Sequence, residues 1–133
     1  MTKEQKEKVK KLLSSYKIMK LQVECIDYEI NLLKDHIESL KALRNTGSYI
    51  IEKNNEIKYK RAKKKRLEDC VNSIDNALNE LNATERKIVE LRYFEGKKHT
   101  WKEISNIVKY SSDYCRKEIL DRVLKFIYSS IVI

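Results

Sequence analysis

The sequence predicts an all-α protein, with a long N-terminal helical hairpin or coiled coil over residues 1–81 followed by a three-helix domain over residues 82–133. Three observations lead to this. Apolar residues recur at alternating steps of three and four from Val9 to Leu40, the period of a helical seam. The chain has no proline and only two glycines, so little interrupts a helix. After Leu81 the pattern breaks into short apolar stripes, each preceded by a helix-start signal.

The first helix is expected to begin soon after Thr2 and to end near Arg44. Val9, Leu12, Tyr16, Met19, Val23, Ile26, Ile30, Leu33, Ile37 and Leu40 form its seam. Asn45-Thr46-Gly47-Ser48 is the turn signal. A second series follows in Ile50, Ile57, Leu67, Val71, Ile74, Leu78 and Leu81, with Lys53, Lys60 and Lys64 at seam positions. Leu13, Ile18, Leu21, Tyr28 and Leu32 broaden the first stripe beyond a minimal seam, which suits an antiparallel hairpin that also forms a homodimer. A two-fold dimer would present two copies of whatever surface the C-terminal helices carry.

The run Lys58, Lys60, Arg61, Lys63, Lys64, Lys65 and Arg66 has two readings. Folding back at Gly47 sets it opposite roughly residues 27 to 35, where Asp27, Glu29 and Asp35 can pair with it. The same cations would also suit a DNA backbone or a polymerase surface.

Three short helices are expected after Leu81. Thr84 is a candidate N-cap for a helix over about 84 to 95, with Ile88, Val89, Leu91 and Phe94 facing inward and Gly96 ending it. Thr100 and Glu103 form a capping box for a helix near 100 to 108, whose buried face would be Trp101, Ile104, Ile107 and Val108. Lys109 and Tyr110 make a tight turn. Ser111 or Ser112 then caps a third helix with Cys115, Ile119, Val123 and Phe126 inward.

Two helices joined by so short a turn read as a helix-turn-helix, in which the second helix can lie in a DNA major groove. Asp113, Tyr114, Lys117 and Asp121 then point outward, with Ser112 and Arg116 at the flanks. Lys117 could donate to guanine, Asp113 could accept from cytosine, and Tyr114 could meet a thymine methyl or a phosphate. The same residues also suit a solvated face, with Asp113 favoured by the helix dipole and Lys117 paired along the helix.

Leu78, Leu81, Glu85-Arg86, Val89, Leu91 to Gly96, Thr100 to Ser105 and Tyr110-Ser111 resemble region 4 of sigma-70-type factors. They resemble more closely the sigma-like C-terminal segment of phage transcriptional regulators of the ArpU/RinA kind. The resemblance implies a phage or prophage regulator that binds double-stranded DNA in a promoter or operator and can touch RNA polymerase. It places base reading on Ser112, Asp113, Tyr114, Arg116 and Lys117, with Thr100, Trp101 and Lys102 beside the backbone. The chain differs from that family at the Lys97-Lys98-His99 link and at Lys109, where the family often has glycine. A left-handed backbone at Lys109 would cost about 1 kcal/mol.

Composition fits this class. With 29 basic and 20 acidic residues the formal charge is +9, which favours a polyanionic partner. The lack of a long apolar run or an N-terminal apolar core predicts a cytoplasmic protein with no membrane contact. Cys25, Cys70 and Cys115 are expected as reduced thiols, and His36 and His99 in structural or solvated roles. Neither a metal site nor a cofactor is expected, and no catalytic motif is present, so an enzyme is disfavoured. Two other functions fit the sequence: a DNA-recognition subunit of phage packaging machinery, and a coiled-coil adaptor or inhibitor acting through protein contacts. The apolar C-terminal stretch from Phe126 to Ile133 would cover the core or dock a partner.

Overall fold

A computed structural model describes residues 1–131. The C-terminal Val132 and Ile133, part of the apolar stretch discussed above, lie outside the described residues. Among the described residues the protein is all-helical. The elements are α1 (Lys3–Lys41), α2 (Gly47–Asn79), α3 (Ala83–Val89) with a π-helical turn Glu90–Phe94, α4 (Trp101–Val108), and α5 (Leu120–Ile131) preceded by a π-helical segment Tyr114–Ile119. By packing, the chain groups into two compact units, Ile18–Cys70 and the combination of Met1–Lys17 with the chain from Val71 onward.

In the first of these units, α1 and α2 run antiparallel. Lys60 pairs with Glu29 at 2.6 Å and Lys64 pairs with Asp27, so positions descend along one helix as they rise along the other. Ile26, Ile30, Ile37 and Ile57 form the core, with Leu33, Ile50 and Leu67 against it. Each well-buried side chain of this size contributes about 1.5–3 kcal/mol. Lys60 and Lys64 occupy seam positions because their stems can lie along the apolar seam while the ammonium groups reach acidic partners. The expected pairing therefore takes Lys60 and Lys64, while Lys58, Arg61, Lys63 and Arg66 remain exposed. At the turn the left-handed residue is Asn45 (φ 60°), not Gly47, and the Thr46 hydroxyl donates to the Leu40 carbonyl at 2.8 Å. Asparagine tolerates that conformation because its short polar side chain offsets part of the steric cost.

The apolar residues expected to broaden the α1 seam divide. Leu13 is fully buried, but Ile18, Leu21, Tyr28 and Leu32 are exposed.

The second unit has its own core, which includes Val9, Leu13, Ile74, Leu78, Ile88, Val89, Phe94, Ile104, Ile119, Val123 and Leu124. Tyr16 joins its parts. Its ring stacks on Phe94 with centroids 4.5 Å apart, and its hydroxyl donates to the Asp75 carboxylate. Farther along, the Gln5 amide donates to the Tyr128 hydroxyl at 3.0 Å, and Lys6 pairs with Asp121.

Burial, then the hydrogen bond to Asp75 and its charge, push the Tyr16 hydroxyl up to about 12. Burial also pushes Tyr93 to about 12. Both rise above the ordinary value of 10.0, so the stability they contribute is complete below pH 10 and is lost as pH climbs toward 12. In an alkaline titration followed by tyrosinate absorbance, two of the eight tyrosines should ionise late and together with unfolding. Ionisation of all eight near the ordinary value with the fold intact would contradict this packing.

The C-terminal helices start where side chains can cap them. The N-cap of α3 is Asn82, not Thr84. Its carboxamide oxygen accepts from Glu85 N–H at 2.8 Å, and the Glu85 carboxylate accepts from Asn82 N–H at 3.0 Å. Glu85 lies three residues beyond Asn82, whereas the residue three beyond Thr84 is Lys87, which cannot complete such a box. The Thr100–Glu103 box is present as expected and starts α4. Of the predicted α4 face, Ile104 is buried and Trp101 and Val108 are half-buried, but Ile107 is 46% exposed. A helix of eight residues packed on one side covers a narrow stripe, and Ile107 lies beyond its edge.

Lys109 closes α4 in the left-handed conformation (φ 67°, ψ 30°), its N–H donating to the Ser105 carbonyl at 2.9 Å. A lysine pays a steric cost there that glycine avoids. Lys109→Gly should stabilise the protein by about 1 kcal/mol, read as a rise of a few degrees in melting temperature. An unchanged or lower value would mean that the turn is not held in this conformation in solution.

The last helix corrects one stripe. Cys115, Ile119 and Val123 are buried as expected, but Ile127 is fully buried where Phe126 was expected, and Leu120 and Leu124 join them. The cause is the π-helical segment. Leu120 N–H reaches back five residues to the Cys115 carbonyl, which accommodates one extra residue in that turn and advances the buried face by one position.

Candidate nucleic-acid interface

The two helices flanking the Lys109 turn are tied at both ends. Ser105 donates its hydroxyl to the Tyr110 carbonyl, and Ser111 accepts from Tyr114 N–H at 3.1 Å, so Ser111 is the capping serine. The Ser112 hydroxyl donates to the Trp101 carbonyl at 3.3 Å, which joins the start of the last helix to the start of α4. Arg92 steadies the preceding link. Its guanidinium lies 4.8 Å from the Trp101 ring centroid and donates to the His99 carbonyl at 2.8 Å. The three-residue link Lys97-Lys98-His99 thus has a fixed end.

Arg116 and Lys117, one turn into the last helix, line an open groove of about 790 Å³. Lys98 and Arg92 line it from the link and the π turn, Trp101 from α4, and Lys6, Lys10 and Lys11 from α1. The groove thus gathers seven cations against two carboxylates, Glu7 and Asp121. Lys6 holds Asp121, and Lys10 approaches Glu7 at 3.4 Å, leaving a strong positive excess on the remaining wall. Such an arrangement attracts a polyanion and concentrates its field within a concave surface.

The sequence-predicted residues are not all brought together. Trp101, Arg116 and Lys117 share the groove. Lys102 and Asp113 are exposed, and Asp113 pairs with Arg116 at 3.4 Å. Thr100 uses its hydroxyl in the capping box, and half-buried Ser112 uses its own on the Trp101 carbonyl. Tyr114 turns elsewhere. Its ring lies 5.5 Å from that of Tyr110, and it lines a small separate depression with Asn82, Glu85 and Arg122. In a regular α-helix Tyr114 and Lys117 would be surface neighbours, but the wider π turn separates them. Asp121, expected to face outward, is half-buried against Lys6, which holds its carboxyl below the ordinary carboxylate range.

Lys6, Lys10, Lys11, Arg92 and Lys98 were not singled out from the sequence as site residues. A partial signal exists, since Lys6 and Lys10 flank Val9 and Leu13 on the buried stripe and must splay from its edge. Their tertiary neighbour is another matter, because no local pattern says which helix a stripe will meet.

Burial raises the Cys115 and Cys70 thiols, while Cys25 is exposed. No described helix is long and apolar enough to cross a membrane. Comparison with protein-family models, curated proteins and solved structures finds no match.

Proposed function

We propose that the protein is a sequence-specific DNA-binding transcription regulator whose helix from Ser111 reads the major groove as the second helix of a helix-turn-helix. The observation that carries this reading is the placement of Arg116 and Lys117, on the helix after a tight turn, in one basic groove with Lys11 and Lys98. Arg116 and Lys117 have the donors that guanine edges accept, whereas Lys11 and Lys98 suit phosphates as solvated point charges. Trp101 and Lys102 belong beside the backbone.

The residues resembling sigma region 4 and ArpU/RinA-type regulators support a phage or prophage setting, with RNA polymerase as a further partner. The capped helices and the left-handed turn between them suit that architecture. Selection of bound sequences from a random DNA library, repeated at two salt concentrations, tests the reading. A common motif should emerge at both, and Arg116→Ala plus Lys117→Ala should erase it with the helical content intact. Binding without sequence preference, weakening steeply with salt, would overturn the regulator reading.

A further inference from the structure

The exposed apolar residues of α1 form a second helical seam. Ile18, Leu21, Cys25, Tyr28 and Leu32 follow steps of three, four, three and four, and the four large side chains are 59%, 59%, 66% and 50% exposed. At about 100° per residue their mean direction lies roughly 150° around the helix from the seam that meets α2. The strip extends for about 21 Å along the helix. It is a contiguous exposed apolar face of α1, and surface of this kind marks association sites.

We propose that this strip docks a second copy of the chain, with the two α1 helices antiparallel. Two features select that occupant and that direction. In an antiparallel pair Leu21 meets Leu32 of the second copy and Cys25 meets its Tyr28, so a small side chain faces a large one. A parallel pair would set cysteine against cysteine and tyrosine against tyrosine. The flanking charges agree. Antiparallel alignment keeps Glu24 opposite the neutral Asn31 of the second copy and brings Lys17 toward its Glu38. The same register sets Asp35, the next seam position, beside Ile18 of the second copy, so the two exposed ends of the strip are its weakest contacts.

The pairing does not depend on what the C-terminal helices bind, and its test uses no DNA. The full chain should sediment with a concentration-dependent shift from monomer to dimer in the micromolar range. Leu21→Lys plus Tyr28→Lys should weaken association by roughly 100-fold or more while the circular-dichroism melt stays unchanged. If that double variant melts early, Leu32→Lys alone serves the same purpose. Direction is read by oxidation in a Cys25→Ser background. Chains carrying Leu21→Cys and Leu32→Cys should form a disulfide-linked pair when mixed, and neither should do so alone. A monomer at every concentration, or a dimer indifferent to these lysines, overturns the proposal and gives the strip to another protein or to a lipid surface. Disulfides within each single-variant population overturn the antiparallel direction.

Discussion

A fragment comprising residues 82–133 is expected to show no cooperative thermal transition, although the sequence draws a domain boundary just before it. Its core includes Ile88, Val89, Phe94, Ile104, Ile119, Val123 and Leu124, and the unit containing them also buries Val9, Leu13, Tyr16, Ile74 and Leu78 from the two long helices. Removing residues 1–81 takes away those five and also leaves the Tyr16–Phe94 stack, the Gln5–Tyr128 hydrogen bond and the Lys6–Asp121 pair without one partner. At about 1.5–3 kcal/mol for each large side chain, the lost burial matches the whole stability of an ordinary domain, about 5–15 kcal/mol. Circular dichroism of the fragment against the full chain measures this. A fragment that melts sharply, near the temperature of the full chain, would show that the α1 and α2 residues only decorate a self-sufficient fold.

The second large effect concerns the groove cations contributed by α1 and by the link before α4. Under the proposed function, Lys11→Ala plus Lys98→Ala should weaken DNA binding by about the same factor for every sequence and reduce the salt dependence by roughly one counterion per side chain. Arg116→Ala plus Lys117→Ala should act differently. Lost guanine contacts cost about 1–3 kcal/mol each and relax the preference at particular base pairs. Titrations with matched and scrambled duplexes at several salt concentrations separate the two patterns. If removing Lys11 and Lys98 changes neither affinity nor salt slope, the groove walls from α1 and from the link before α4 lie outside the interface.

Much of the architecture was legible because it follows from local chemistry. The hairpin could be read from the three-four seam and from the complementarity of Lys60 and Lys64 with Glu29 and Asp27. The Thr100–Glu103 box and the Ser111 cap could be read from side chains that satisfy their own helix ends. Other features were hidden by competing local signals. Thr84 is a good capping residue, but Asn82 has a reciprocal glutamate and Thr84 does not. The Phe126 to Ile127 shift, and the turning away of Tyr114 and Asp121, follow from a π-helical segment that a constant 100° per residue does not anticipate. The α1 lysines of the groove depend on a long-range packing choice, which periodicity does not encode.

The bond between Gln5 and Tyr128 joins residues 123 positions apart, and it belongs to the same unit as the basic groove. The hairpin unit, by contrast, closes over separations such as the 31 positions between Glu29 and Lys60. During synthesis the hairpin can therefore form while the ribosome is still adding residues, whereas the groove must wait for nearly the last helix to emerge. A nascent chain therefore cannot assemble this cationic wall until the segment carrying Arg116, Lys117 and Leu124 has left the ribosome, long after the α1 lysines that face it.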